Sequence, residues 1–221
     1  MMSEIKDVLD KYPSLTFDEA SKFFRGFVDI GAGDVYHVQI NVRKFPKYFP
    51  SVYELHERIP RTNDRHCNLP DGSLCFTTEP KELILLRTKI HTLIDFFDEI
   101  LVPYLQNNSY FEIHKEYRYG AFAHGRAAST YQTYQELLDI GDPATLIDVL
   151  KQLTSGFKFA ANELCYCGSG RKLKKCSGHS ELYRRIKYLS QEDLRKALLV
   201  IEEHLVASSS STALSATTTT A

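Results

Sequence analysis

Apolar and polar positions alternate most clearly over residues 36–42, where Tyr36, Val38, Ile40 and Val42 are separated by His37, Gln39 and Asn41. A period of two belongs to a strand with one buried face. Gly26 to Ile30 reads as the strand before it, with Gly31-Ala-Gly33-Asp34 as the turn between them. Tyr53, Leu55, Glu57 and Ile59 set out a weaker third strand ahead of Pro60. Connections this short exclude crossovers, so the strands form an antiparallel meander. Helical periodicity holds elsewhere. Ser3 to Lys11 predicts a short helix ended by Pro13, and Thr16-Phe-Asp-Glu19 has capping-box spacing, which predicts a helix to about Arg25. Ile90, Leu93, Ile94, Phe97, Ile100 and Leu101 share one face of a helix over residues 88–104, with Pro103 near its end. Asp95, Asp98 and Glu99 on that helix read as a solvated face. Further helices are predicted over 129–138, from Asp142-Pro143 to about Leu153, and from Ser190 to Leu205. Residues 207–221 are low in complexity and are expected to be disordered. The fold class that follows is α+β.

Composition narrows the functional classes. The chain has 221 residues, 43% of them hydrophobic and 25% charged, with a formal charge of −1. That balance exerts no general pull on nucleic acid or anionic lipid, so no specific nucleic-acid partner is expected. No apolar run approaches the roughly 20 residues of a membrane span. The start, MMSEIKDVLDKYP, lacks the basic residues and apolar core of a signal peptide. A cytoplasmic location is expected, with thiols kept reduced. The five cysteines then read as ligands or catalysts rather than bridges.

Three of them are compressed into Cys165-Tyr-Cys167-Gly-Ser-Gly-Arg-Lys-Leu-Lys-Lys-Cys176-Ser-Gly-His179. Glycines between the thiols allow the tight turns that aim sulfurs at one point, and four Cys/His donors make a closed, structural zinc shell. Arg171, Lys172, Lys174 and Lys175 offset thiolate charge. The Cys-x-Cys pair, the Gly-Ser-Gly, the basic run and a third Cys eight residues on resemble the SEC-C motif, a small zinc-binding module. That resemblance implies structural zinc on Cys165, Cys167 and Cys176. The family takes its fourth ligand directly after the third cysteine. Here Ser177 stands there, and the nearest imidazole, His179, becomes the candidate.

The other two cysteines lie in His66-Cys67-Asn68-Leu-Pro-Asp-Gly-Ser-Leu-Cys75. Cys75 reads either as a nucleophile or as a buried inert thiol, since free cysteines are often buried. A second zinc site on His66, Cys67 and Cys75 lacks a fourth ligand. Residues 1–140 resemble the ubiquitin-conjugating fold: a short helix, a meander, a proline-rich turn (FPKYFP), a segment with His-x-Asn and Gly-x-x-Cys, then a long helix. Cys67 stands where that family has proline, the spacing from Asn68 to Cys75 is one residue short, and the chain has no tryptophan. Together with AHGRAASTYQTYQELL these departures look more like divergent bacterial relatives, some of which act in antiviral operons built around a cyclic-oligonucleotide synthase.

The resemblance implies a thioester-transfer enzyme with Cys75 as nucleophile, Asn68 as oxyanion donor or loop support, and His66 mainly as loop support. His124 is a further loop candidate. The implied partners are an activating (adenylating) enzyme, a ubiquitin-like modifier or the C-terminus of the synthase, and an acceptor lysine. The chain has no glycine-rich nucleotide-binding fingerprint of its own. The alternative is a non-catalytic zinc-containing adaptor. The expected organisation is a conjugating-like domain over 1–140, a connecting helix over 141–160, the zinc module and last helix over 161–206, and the tail over 207–221.

Overall fold

In the computed structural model the described residues are 2–62, 65–68, 71–118 and 125–216. They divide into two compact units: Met1–Thr77 with Leu85–Phe122, and Thr78–Ile84 with Ala123–Ala221.

The first unit opens with α1 (Met2–Lys11), which buries Ile5 and Val8. An antiparallel sheet follows in the order β1 (Leu15–Asp18), β2 (Phe23–Asp29), β3 (Val35–Asn41) and β4 (Ser51–Glu54). The expected helix over residues 16–25 is therefore a hairpin, with Thr16 opposite Arg25 and Phe17 opposite Phe24. Asp18 supports the turn that this pairing needs. Its carboxylate accepts the N–H groups of Ala20 and Ser21, and that local bond turns the chain back. Thr16 donates its hydroxyl across the hairpin to the Arg25 carbonyl rather than capping a helix.

Gly26 in β2 is at φ +143°, and a Cβ there would meet the Ser14 carbonyl oxygen at 2.1 Å. Backbone has no easy way to yield, so Gly26→Ala is expected to lower unfolding stability by about 3 kcal/mol. Urea denaturation of the two proteins checks this.

The alternation in β3 buries Tyr36, Val38 and Ile40 as expected. In β4 the phase is reversed: Val52 and Glu54 point inward, and the strand stops at Glu54. A buried carboxylate is tolerated because it accepts the N–H groups of His56, Arg58 and Ile59 at 2.9, 2.8 and 3.4 Å.

The helix expected over 88–104 is divided. α2 (Glu79–Thr88) ends where it was to begin, and α3 (Leu93–Phe96) starts from a capping box between Thr92 and Asp95. Asp95 is thus a cap rather than part of a solvated face. A π-helical turn, Phe97–Leu101, then leads into α4 (Val102–His114). The Val102 N–H reaches back to the Phe97 carbonyl, and the widened turn admits Pro103, which has no N–H and falls in the first turn of α4. Ile90, Leu93, Phe97 and Leu101 are fully buried in the core of this unit.

The second unit holds α5 (Arg126–Leu138), α6 (Pro143–Thr154), α7 (His179–Ile186) and α8 (Gln191–Ala216). Asp142 caps α6 by accepting the Thr145 N–H, and Ser190 and Asp193 cap α8 reciprocally. α8 continues to Ala216, and residues 217–221 lie outside the described residues. Tyr134, Leu138, Leu146, Leu150 and Ile201 are fully buried in its core. Among the described residues, no helix is long and apolar enough to cross a membrane.

Candidate metal centre and cysteine hairpin

In the second unit the segment after α6 folds back on itself. Leu164 bridges to Lys172, and the Cys165 N–H donates to the Arg171 carbonyl at 2.7 Å. Gly168 and Gly170 turn the chain at φ +72° and +71°, a conformation that side chains with a Cβ disfavour. A short 3₁₀ turn, Leu173–Lys175, then brings Cys176 back. Gly178 leads into α7, whose first residue is His179.

One donor atom from each of Cys165, Cys167, Cys176 and His179 lies within 4.8 Å of the other three. The Cys167 and Cys176 sulfurs are 3.7 Å apart, and His179 Nδ1 is 3.1 Å from the Cys176 sulfur and 3.5 Å from that of Cys165. Donors about 2.3 Å from a tetrahedral ion stand about 3.8 Å from one another, so these spacings fit a four-coordinate metal. Ser177, at the family's usual ligand position, is exposed instead.

The four groups shift one another's protonation. Burial pushes the Cys165 thiol up to about 12, with its neighbouring thiols adding to the rise. Burial also opposes ionisation of Cys167, but bonds from Ser169 and the adjacent thiols bring it down to about 6. Burial lowers the His179 imidazole, yet the Cys176 bond and the thiolates raise it on balance. Arg171, Lys172, Lys174 and Lys175 are all exposed on the loop around the cluster.

In the first unit residues 66–68 pair with residues 73–75 as the arms of a small hairpin; Leu69 and Pro70 lie outside the described residues. Cys67 bridges to Leu74, the Asn68 N–H donates to the Ser73 carbonyl at 2.8 Å, and the Cys75 N–H donates to the His66 carbonyl at 2.7 Å. The Leu74 N–H bonds the Val52 carbonyl at 2.8 Å, which ties the hairpin to β4. Cys67 and Leu74 point into the core, each 4% exposed, and burial raises the Cys67 thiol. His66, at φ +53°, and Cys75 are half-buried, and Asn68 is exposed.

The Tyr104 hydroxyl donates to the carbonyls of Arg65 and His66 at 3.2 and 3.0 Å, and burial holds the phenol well above its ordinary pKa. The His66 ring lies 5.0 Å from that of Tyr117. The Asn68 amide donates to the Ser73 hydroxyl at 2.9 Å, so it braces the hairpin. None of the five cysteines is in a disulfide. His124 lies outside the described residues. Tyr104 and, near the metal cluster, Asp139 are contributors that only tertiary structure discloses, because no local spacing links either to its site.

The fold and its clearest site define an α+β protein with a four-stranded antiparallel sheet and a C-terminal Cys/His metal-ligand cluster. Residues 162–176 match the family described as the SEC-C motif. That match includes the three cysteines and ends before His179. No curated protein and no solved structure matches the chain.

Proposed function

We propose that the first unit is a ubiquitin-conjugating-like acyl carrier with Cys75 as its nucleophile, and that the second holds a structural zinc ion. The observation that carries the first part is the setting of Cys75: a half-buried thiol at the end of a hairpin that follows a helix and a four-stranded meander. In this reading the Cys75 thiolate attacks the thioester carbonyl of a charged activating enzyme and expels that enzyme's thiolate. An acceptor lysine amine then attacks the new thioester, expels the Cys75 thiolate and gives its proton to solvent. A thioester is already activated, so the carrier needs access and oxyanion stabilisation more than strong acid–base groups. The transferred group is a protein C-terminus, either of a ubiquitin-like modifier or of a cyclic-oligonucleotide synthase in antiviral defence.

Zinc on Cys165, Cys167, Cys176 and His179 supplies cross-linking and no chemistry, because four protein ligands leave no open position. A second reading, a non-catalytic zinc-containing adaptor, is favoured by the bond from the Asn68 amide to Ser73, which holds that side chain to the hairpin and commits one of its two N–H donors. Reconstitution with the activating enzyme, ATP and modifier separates the two. The carrier gives an adduct on a non-reducing gel that thiol removes, whereas the adaptor gives none.

A further inference from the structure

We infer that Asp139, the residue that closes α5, positions His179 as the fourth ligand of the metal centre. The inference rests on the metal-binding reading and concerns residues outside the matched motif, which ends at Cys176. His179 presents Nδ1 to two cluster sulfurs, at 3.1 and 3.5 Å. Its other nitrogen, Nε2, is buried and makes no aligned hydrogen bond, yet it lies 3.2 Å from Asp139 Oδ2.

A buried ring nitrogen left without a hydrogen-bond partner is costly, so the carboxylate beside it has a role to fill. A metal on Nδ1 admits one neutral tautomer, with the proton on Nε2, and coordination makes that N–H a stronger donor. Asp139 supplies the acceptor. Its carboxylate is largely exposed, so a small rotation of the side chain aligns the pair. The carboxylate fixes the ring's orientation and raises the basicity of Nδ1 toward the metal. Because Asp139 terminates α5 and His179 begins α7, the contact also ties two helices of the second unit to the metal.

Asp139 has φ +53°, a left-handed helix cap that Gly and Asn accept readily. Asp139→Gly removes the carboxylate without straining the backbone, and Asp139→Asn keeps an acceptor oxygen. Zn²⁺ affinity of the full chain, by competition with a chelating dye, is expected to fall at least about tenfold in the glycine variant. The asparagine variant should fall between it and wild type, and both should show wild-type far-UV circular dichroism when loaded. Nitrogen NMR of the loaded wild type should place the metal on Nδ1 of His179 and the proton on Nε2. Glycine-variant affinity within about twofold of wild type, or coordination through Nε2, overturns the role of Asp139 while leaving the metal site standing. Wild-type protein that binds no Zn²⁺ overturns both.

Discussion

Removing the metal is expected to unfold the second unit. Its ligands come from a tight hairpin, a 3₁₀ turn and the first residue of α7, and Cys165 and Cys176 are themselves members of the apolar core. Leu173 and Tyr166, buried between those ligands, lose their frame when the sulfurs separate. Structural zinc in small modules binds with roughly 10–16 kcal/mol at neutral pH, comparable to the whole stability of a domain at about 5–15 kcal/mol. Purified protein is expected to carry close to one zinc per chain. Chelator should lower Tm sharply, and changing Cys165 and Cys167 together to Ser should remove the zinc and the cooperative transition of this unit. The first unit, with its own core, should keep its sheet signal. Folded, zinc-free wild type with a chelator-insensitive Tm would remove the metal from the account.

Replacing Cys75 by Ser is expected to convert a thiol-labile adduct into one that survives thiol, because a serine oxygen forms an ester in place of the thioester. Cys75→Ala should form no adduct. Cys67 provides the internal control. Its side chain faces the core, so Cys67→Ala should cost stability yet still allow charging at Cys75. Asn68→Ala separates the two readings of the hairpin. As an oxyanion donor Asn68 is worth about 3 kcal/mol, roughly a hundredfold in the rate of transfer to an amine. As a brace through Ser73 alone, its loss should alter stability and leave that rate near wild type. Single-turnover discharge to free lysine reads the rate, and thermal unfolding reads the brace.

Legibility from sequence followed the range of the interactions. The β2–β3 meander was readable because Tyr36, Val38 and Ile40 lie at strand spacing and nothing local competes. Thr16 to Glu19 misled because the same residues satisfy a capping box or an Asp18 turn, and pairing with β2 selects the turn. Pattern reading also missed the phase of β4, since an inward carboxylate looks polar until the three N–H groups around Glu54 are seen. The break before α3 was written in Thr92 and Asp95 but lay inside a continuous apolar periodicity. At the sites, the three clustered cysteines and His179 were readable because they are neighbours in the chain. Asp139 beside His179 and Tyr104 beside His66 were not, because folding alone brings them there.

The thioester is tested most directly by intact mass under non-reducing conditions, after the chain is mixed with its activating enzyme, ATP and modifier. The expected result is a mass increase equal to the modifier less one water, reversed by thiol and mapped by peptide analysis to Cys75. No increase when the activating enzyme is itself charged, or an adduct that persists in Cys75→Ala, would contradict it.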